Sequence, residues 1–298
     1  MTRSPAPATG FYGPALALML NAFTWGVSWW PFRQLQQRGL HPLWATVLIY
    51  AVAVAAITLW RPGAWRELRR TPSLWLLVLA SGTTNAAFNW GVTAGDVVRV
   101  VLLFYLMPLW ALLLARLLLH EAPGAMALLR VALALGGAAL VLWPETGGGW
   151  PLPRNFTEWL GVLGGFSFAL NNVLLRREAQ RPEAARALAM FTGGALVAGA
   201  LATALAVQGA VPPPPAPAAG WVLGGLAMAA AFLLGNAALQ YGAARLPANV
   251  TALVLMTEIL FAAGSALLLG AGHLTPVLAL GGGLIVAAAL LAVTPDSR

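Results

Sequence analysis

The sequence contains no cysteine and no lysine, and it is poor in charge of either sign. Charged residues make up 9% of its 298 positions, against roughly 25% in soluble domains. Without cysteine there are no disulfides, thiolate metal sites or cysteine nucleophiles, and without lysine there is no P-loop for ATP. The low charge and the 60% apolar content together exclude an ordinary soluble enzyme and predict a membrane protein.

The remaining reactive side chains are too scattered to form a catalytic or metal centre. His41, His120 and His273 lie in separate connections with no ligand spacing between them. The 17 basic residues are all arginine and are dispersed between apolar runs, whereas nucleic-acid binders cluster their charge on one face. We therefore expect no catalytic residues, no metal, no cofactor and no nucleic-acid partner.

Uninterrupted apolar stretches predict ten membrane-spanning segments. These should be helices, because backbone polar groups in lipid must be satisfied within each segment. Ten spans of about 20 residues leave no room for a sizeable extramembrane domain, so we expect an all-α polytopic membrane protein. The predicted spans are residues 12–30, 43–60, 74–93, 98–119, 126–143, 158–175, 187–207, 220–241, 248–270 and 276–293.

The arginines predict the orientation of these spans. With the N-terminus in the cytoplasm, 13 of the 17 arginines fall on the inner side, as the positive-inside rule requires. Ten spans then return the C-terminus to the cytoplasm. Arginine without lysine is typical of a GC-rich bacterial genome, so we expect a multi-pass protein of the bacterial inner membrane.

The two halves of the chain are similar to each other. Residues 85–91, NAAFNWG, match residues 236–242, NAALQYG, and residues 23–28 resemble residues 166–171. Because each half holds five spans, an odd number, the second copy must enter the membrane in the opposite orientation, as in secondary transporters. The predicted units are a first five-helix repeat at 11–143, an external linker at 144–157 and a second repeat at 158–293.

Four short motifs resemble the drug/metabolite transporter superfamily, in particular its ten-helix EamA-like members, in order and spacing over residues 11–293. They are Trp25-Gly26 in the first span, Leu103 to Pro108 in the fourth, the turn Leu119-His120-Glu121, and Gly136-Gly137 in the fifth. This resemblance implies two inverted five-helix halves and transport of a small molecule.

The aromatic residues Trp25, Tyr105 and Phe168 resemble most closely those of YddG-type amino-acid exporters. The second half departs from the family pattern, with Glu258 at the position of Pro108 and Ala271-Gly272 near the usual acidic turn. These departures leave proton coupling and substrate class open.

Polar residues within the predicted spans recur at helical spacing, which places them on common faces. Intramembrane polar groups face either a cavity or a partner helix, so each stripe predicts substrate contacts or interhelical hydrogen bonds. We favour a shared cavity because matched stripes and aromatics occur in both halves. The predicted substrate-binding residues are Asn21, Trp25, Ser28, Asn85, Phe88, Asn89, Tyr105, Phe168, Asn171, Asn236, Gln240 and Glu258.

Three further features bear on mechanism. Pro108 removes a backbone hydrogen bond in mid-span and predicts a hinge. Glu258 is the only acid well inside a span, where it can link helices, contact substrate or carry a proton. Gly161 and Gly165 have the spacing of close helix packing.

Together these features predict a functional monomer that exports small metabolites, most consistently neutral or aromatic amino acids, by alternating access. Its partners are the small-molecule substrate and membrane lipid. The alternatives are a drug or nucleoside exporter of the same superfamily and a polytopic membrane enzyme acting on lipid.

Overall fold

The computed structural model describes residues 9–119, 125–141, 143, 152–178, 180–243, 245, 254–255 and 257–293, and every regular element in these ranges is an α-helix. His120, Glu121 and residues 144–151 of the predicted linker, together with the side chains of Pro108 and Gln240, lie outside the described part. The helices are α1 Thr9–Val27, α2 Trp29–Gln37, α3 Pro42–Trp60, α4 Gly63–Arg70, α5 Pro72–Ala94, α6 Val97–Phe104, α7 Met107–Leu119, α8 Ala125–Val141, α9 Phe156–Arg177, α10 Glu183–Val207, α11 Ala219–Ala243, α12 Thr257–Leu268 and α13 Pro276–Val293.

Apart from α4 and most of α2, these helices largely coincide with the predicted apolar stretches, and α6 and α7 together form the fourth of them. Four segments are long and apolar enough to cross a membrane by length and composition: Pro42–Trp60, Val97–Leu118, Glu183–Val207 and Ala219–Leu239. Shorter apolar helices include Thr257–Leu268 and Pro276–Ala288. The arrangement is consistent with a polytopic membrane protein. The short amphipathic helix α4 was not predicted.

The two halves of the chain interlock. Helix α1 packs against α11 and α12, while α9 packs against α5 and against α6 and α7. Helix α10 lies between α3 and α5, and α8 pairs with α13. Most long-range packing therefore joins a helix of the first half to one of the second.

Close helix approach depends on glycine at several of these contacts. A β-carbon at Gly26 would lie 2.8 Å from the carbonyl oxygen of Glu258, so the Trp25-Gly26 motif lets α1 press against α12. On α9, β-carbons at Gly161 and Gly165 would overlap the carbonyl oxygens of Val100 and Phe104 in α6. The predicted packing role of Gly161 and Gly165 is confirmed.

The predicted fourth span is interrupted between α6 and α7. Helix α6 ends at Phe104, α7 begins at Met107, and Leu106 donates its amide hydrogen three residues back, to Leu103. The interruption has a chemical cause, because Pro108 has no amide hydrogen to donate to the carbonyl of Phe104. Tyr105 and Leu106 thus occupy the interruption itself.

Candidate substrate-binding site

Both the nitrogen and the oxygen of the Asn85 side-chain amide form hydrogen bonds. Its nitrogen donates to the carbonyl oxygen of Ser81, 2.8 Å away in the same helix, and its oxygen accepts the hydroxyl hydrogen of Tyr50 in α3. Asn85 and Tyr50 are both buried. Asn85 therefore links α3 to α5 through Tyr50.

Asn89, one turn further along α5, has a different set of partners. Its amide nitrogen donates to the Thr46 hydroxyl oxygen at 3.0 Å. Thr46 in turn donates to the carbonyl of Pro42, so its oxygen is left to accept and the orientation of the Asn89 amide is fixed. The Asn89 side-chain oxygen is buried and has no hydrogen-bond partner within the described part of the chain.

Asn171 in α9 also buries an amide oxygen that lacks a partner among the described residues. An unsatisfied buried acceptor costs about 1–3 kcal/mol, which a bound donor group would recover. Asn89 and Asn171 are therefore the predicted amides best suited to accept a hydrogen from a substrate.

Phe104 is the centre of an aromatic cluster. Its ring centroid lies 4.9 Å from that of Phe88 in α5, 5.3 Å from Phe168 in α9 and 5.9 Å from the adjacent Tyr105. Such edge and tilted contacts stabilise aromatic packing. The predicted residues Phe88, Tyr105 and Phe168 are thus brought together, around a phenylalanine that was not predicted.

Tyr105 and Glu258 form a polar pair beside this cluster. The Tyr105 side chain, directly after α6 of the first half, lies near the Glu258 carboxyl in α12 of the second half. Tyr105 is buried and Glu258 partly buried, with Ile259 and Ala262 packed into the same core. The intramembrane acid therefore lies at a junction between the halves.

Trp25 packs between two buried apolar clusters, and its ring centroid is 4.5 Å from that of Phe232 in α11. A cavity of about 130 Å³ lies alongside, between α1 and α11, with Phe23, Thr24 and Phe232 in its wall. This volume is below the roughly 300 Å³ of most ligand pockets.

The other polar residues of α1 bind the protein itself. Asn21 donates its amide hydrogen to the carbonyl of Gly235 in α11 at 2.9 Å, and Ser28 donates to the carbonyl of Trp25 at 2.7 Å. Asn236 is partly exposed next to Gly235. Asn21 thus contributes to the α1–α11 contact, and Ser28 occupies the interruption between α1 and α2.

Three residues that contact or lie near predicted site residues were not themselves predicted: Thr46, Tyr50 and Trp29. Thr46 and Tyr50 are four residues apart in the second predicted span, a polar pair on one helix face that could have been recognised. Trp29, near the end of the first predicted span, is only 2% exposed and its indole nitrogen donates to the Ser265 hydroxyl at 2.9 Å. A tryptophan near a span end is therefore not necessarily interfacial.

Arg99, near the start of α6, binds two acidic residues through different groups. Asp96 caps α6 by accepting the backbone amide hydrogen of Arg99 at 2.9 Å. The Arg99 guanidinium instead donates to the buried carboxylate of Glu158 in α9 at 2.8 Å. This ion pair fixes the start of α6 to the start of α9. Across the described ranges, no three His, Cys, Asp or Glu side chains cluster as a metal site requires.

Comparisons with known proteins agree with this architecture. Residues 13–143 match the EamA-like transporter family. An uncharacterized transporter of Pseudomonas aeruginosa is 37% identical over 86 residues, which are 28% of this chain and 29% of that protein. The chain thus spans under a third of the length of that relative. A crystal structure of another protein, 17% identical, covers 94% of this chain and 95% of its own with a TM-score of 0.59, which shows a shared fold.

The first half of the chain is therefore similar to EamA-like transporters of the drug/metabolite transporter superfamily. The apolar helices and this similarity indicate a multi-pass membrane protein.

Proposed function

We propose that the protein is a secondary transporter that exports neutral amino acids across the bacterial inner membrane by alternating access. The observation that carries this proposal is the cluster in which Phe88, Phe104 and Phe168 meet the Tyr105–Glu258 pair. It combines aromatic walls with an intramembrane carboxyl, between helices of both halves. Residues 13–143, which include three of the five, match a transporter family.

The packing of the halves supports an inverted repeat. The contacts of α1 with α11 and α12 have counterparts in those of α9 with α5 and with α6–α7. The pairs α3–α10 and α8–α13 join equivalent positions of the two halves. This is the pattern expected when a two-fold axis in the membrane plane relates two five-helix units, 11–143 and 158–293.

Contacts between connections support the proposed topology, with both termini cytoplasmic and residues 144–157 external. On the side predicted to be outer, Arg38 donates to the carbonyl of Gly220 at 2.8 Å and Trp44 to that of Pro212 at 3.1 Å. On the side predicted to be inner, Glu67 pairs with Arg181 at 3.1 Å. In each pair, both partners lie in connections predicted on the same side or at the ends of the spans next to them.

The chemistry of the cluster supports an amino-acid substrate. The Glu258 carboxyl at the cluster is an acceptor suited to an ammonium group, and so are the buried oxygens of Asn89 and Asn171 elsewhere on α5 and α9. The N-terminal turn of α7, next to Tyr105, carries the partial positive charge that favours a carboxylate. Apolar or aromatic substrate side chains would lie against the phenylalanine rings.

Drug export is the second candidate, because acceptors beside aromatic rings also suit a cationic aromatic amine. Counterflow in proteoliposomes distinguishes the two. We expect unlabelled neutral amino acids inside the vesicles to drive uptake of labelled amino acid, and Trp25→Ala to reduce it more than the control Trp143→Ala, whose residue is 58% exposed. Counterflow with aromatic amines but with no amino acid would favour the drug exporter, and none with any solute would overturn transport.

A further inference from the structure

Helix α4 presents an exposed basic face at one end of the bundle. Ala64 and Leu68, one turn apart, are buried against the protein, whereas Arg66, Arg69 and Arg70 are exposed. Helices of this kind lie in the plane of the membrane interface with their charges toward lipid headgroups. The position of α4, directly between α3 and α5, places it at that level.

The end of α3 adds an apolar surface and a fourth arginine. Leu59 and Trp60 are 83% and 86% exposed, so nothing in the described chain covers them. Arg61, also exposed, follows directly. Apolar side chains that can contact lipid chains thus lie beside arginines that can bind a phosphate. A phospholipid needs both kinds of contact.

A cavity of about 390 Å³ opens between this region and the start of α10. Its wall includes Trp60, Arg61 and Glu67 on one side and Pro182 and Ala184 on the other. A β-carbon at Gly63 would have no neighbour within 4 Å, so the backbone is accessible here. This open groove leaves space for a lipid headgroup beside Arg61.

The charge balance of this surface favours an anion. Glu67 would repel a phosphate, but its carboxylate is paired with Arg181 at 3.1 Å, and Arg181 also lies 3.6 Å from Glu178. In the part of the chain that the structure describes, no carboxylate lies within 4.0 Å of the four arginines at positions 61, 66, 69 and 70. The surface therefore carries uncompensated positive charge.

We propose that α4, the end of α3 and the adjacent cavity bind the headgroup of an anionic phospholipid. The headgroup oxygens contact Arg61 and Arg66, with Arg70 adding attraction from the same face, and the lipid chains follow Leu59 and Trp60. The occupied site holds α4 against the bundle next to the Glu67–Arg181 pair. Substrate transport is not needed for this proposal, which requires only that the chain is embedded in a membrane.

The experiment measures thermal unfolding of the full chain in nanodiscs as phosphatidylglycerol replaces phosphatidylcholine. We compare the wild type with Arg66→Gln/Arg70→Gln and with the control Arg38→Gln/Arg154→Gln, which removes the same charge at the opposite end. Neither substitution in α4 touches the Glu67–Arg181 pair. At about 1 kcal/mol per arginine, the phosphatidylglycerol fraction giving half-maximal stabilisation should rise roughly 10- to 30-fold in the α4 variant, and less than about twofold in the control.

A single variant, Arg61→Gln, tests the cavity separately. It should raise the phosphatidylglycerol fraction that gives half-maximal stabilisation about fivefold. Native mass spectrometry should show phosphatidylglycerol retained by the wild type and lost from both α4-region variants. Equal stabilisation of wild type and α4 variants, or an equal loss in the control, would overturn the proposal. Stabilisation by inorganic phosphate in phosphatidylcholine nanodiscs would indicate a free-anion site instead and would also overturn it.

Discussion

Tyr50 in α3 donates its hydroxyl hydrogen to the side-chain oxygen of Asn85 in α5, so an amide predicted to contact substrate is held by a neighbouring helix. The pair is buried and joins two helices of the first half. Its contribution is open to measurement, because either partner can be removed with little change in shape.

We expect Tyr50→Phe to lower the free energy of unfolding by about 1–3 kcal/mol, because it leaves the Asn85 oxygen buried without a donor. Asn85→Ala should destabilise the protein similarly, and the double variant less than the sum of the two. Thermal unfolding of purified protein in one detergent gives all four values. Strictly additive effects would show that the two residues do not interact.

His41 provides a pH-dependent contribution to stability outside the predicted spans. Its imidazole nitrogen accepts the backbone hydrogen of Leu43 at 3.3 Å and so caps α3, and burial lowers the pKa of His41 from its usual 6.5. Because the unfolded chain binds this proton more readily, the stabilisation is complete above about pH 6.5 and is lost as the pH falls through the lowered folded pKa.

The prediction is a falling unfolding temperature as the pH decreases from 8 to 5, with a smaller decrease in His41→Asn. Asparagine is a good helix cap but does not titrate, so the variant should keep the α3 cap at low pH. An identical pH profile in wild type and variant would exclude His41 as the source.

Asn89 should matter for substrate more than its neighbour Thr46 does. Asn89→Ala removes a buried oxygen that has no partner in the described chain, and we expect substrate affinity in counterflow to fall by roughly 5- to 150-fold, equivalent to about 1–3 kcal/mol. Thr46→Val removes only the bond that orients the amide and should have a smaller effect. Unchanged affinity in a well-folded Asn89→Ala protein would place this residue outside the substrate site.

The natural absence of cysteine makes the proposed topology directly testable. Gly148→Cys and Pro214→Cys should react with an impermeant maleimide from outside the cell, because both lie in predicted external connections. Gly63→Cys, where a side chain has room, should react only after the membrane is opened. Labelling of Gly148→Cys from the cytoplasmic side alone would contradict the topology.

Helix positions were predictable from the sequence because long apolar runs are the dominant signal in a membrane protein. Helix α4 was missed for the same reason: Gly63–Arg70 is short and charged, and only two of its residues, Ala64 and Leu68, are buried against the bundle. The location of the α6–α7 interruption followed from Pro108, whose chemistry is local.

The partners of individual polar residues were not predictable in the same way. Helical spacing placed Asn85 and Asn89 on one face of α5, but periodicity within a helix does not identify the helix opposite. The tertiary packing of α3 against α5 determines the partners, because it places Tyr50 and Thr46 against these amides. Trp29 likewise donates a hydrogen bond to Ser265, a residue 236 positions away in sequence.

The Tyr105–Glu258 pair bears on how transport is driven. Glu258→Gln keeps an oxygen that can accept the Tyr105 hydroxyl hydrogen but removes the titratable proton. We therefore expect counterflow, which needs no net driving force, to persist in Glu258→Gln, and wild-type transport to depend only weakly on a pH gradient. Tyr105→Phe, which breaks the pair without changing the acid, should reduce counterflow more than Glu258→Gln does.

Obligatory proton coupling requires a different pattern, with gradient-driven accumulation in the wild type that collapses in Glu258→Gln while counterflow remains. Both assays on the same proteoliposome preparations decide between these mechanisms, and strong gradient-driven accumulation by the wild type would refute weak coupling.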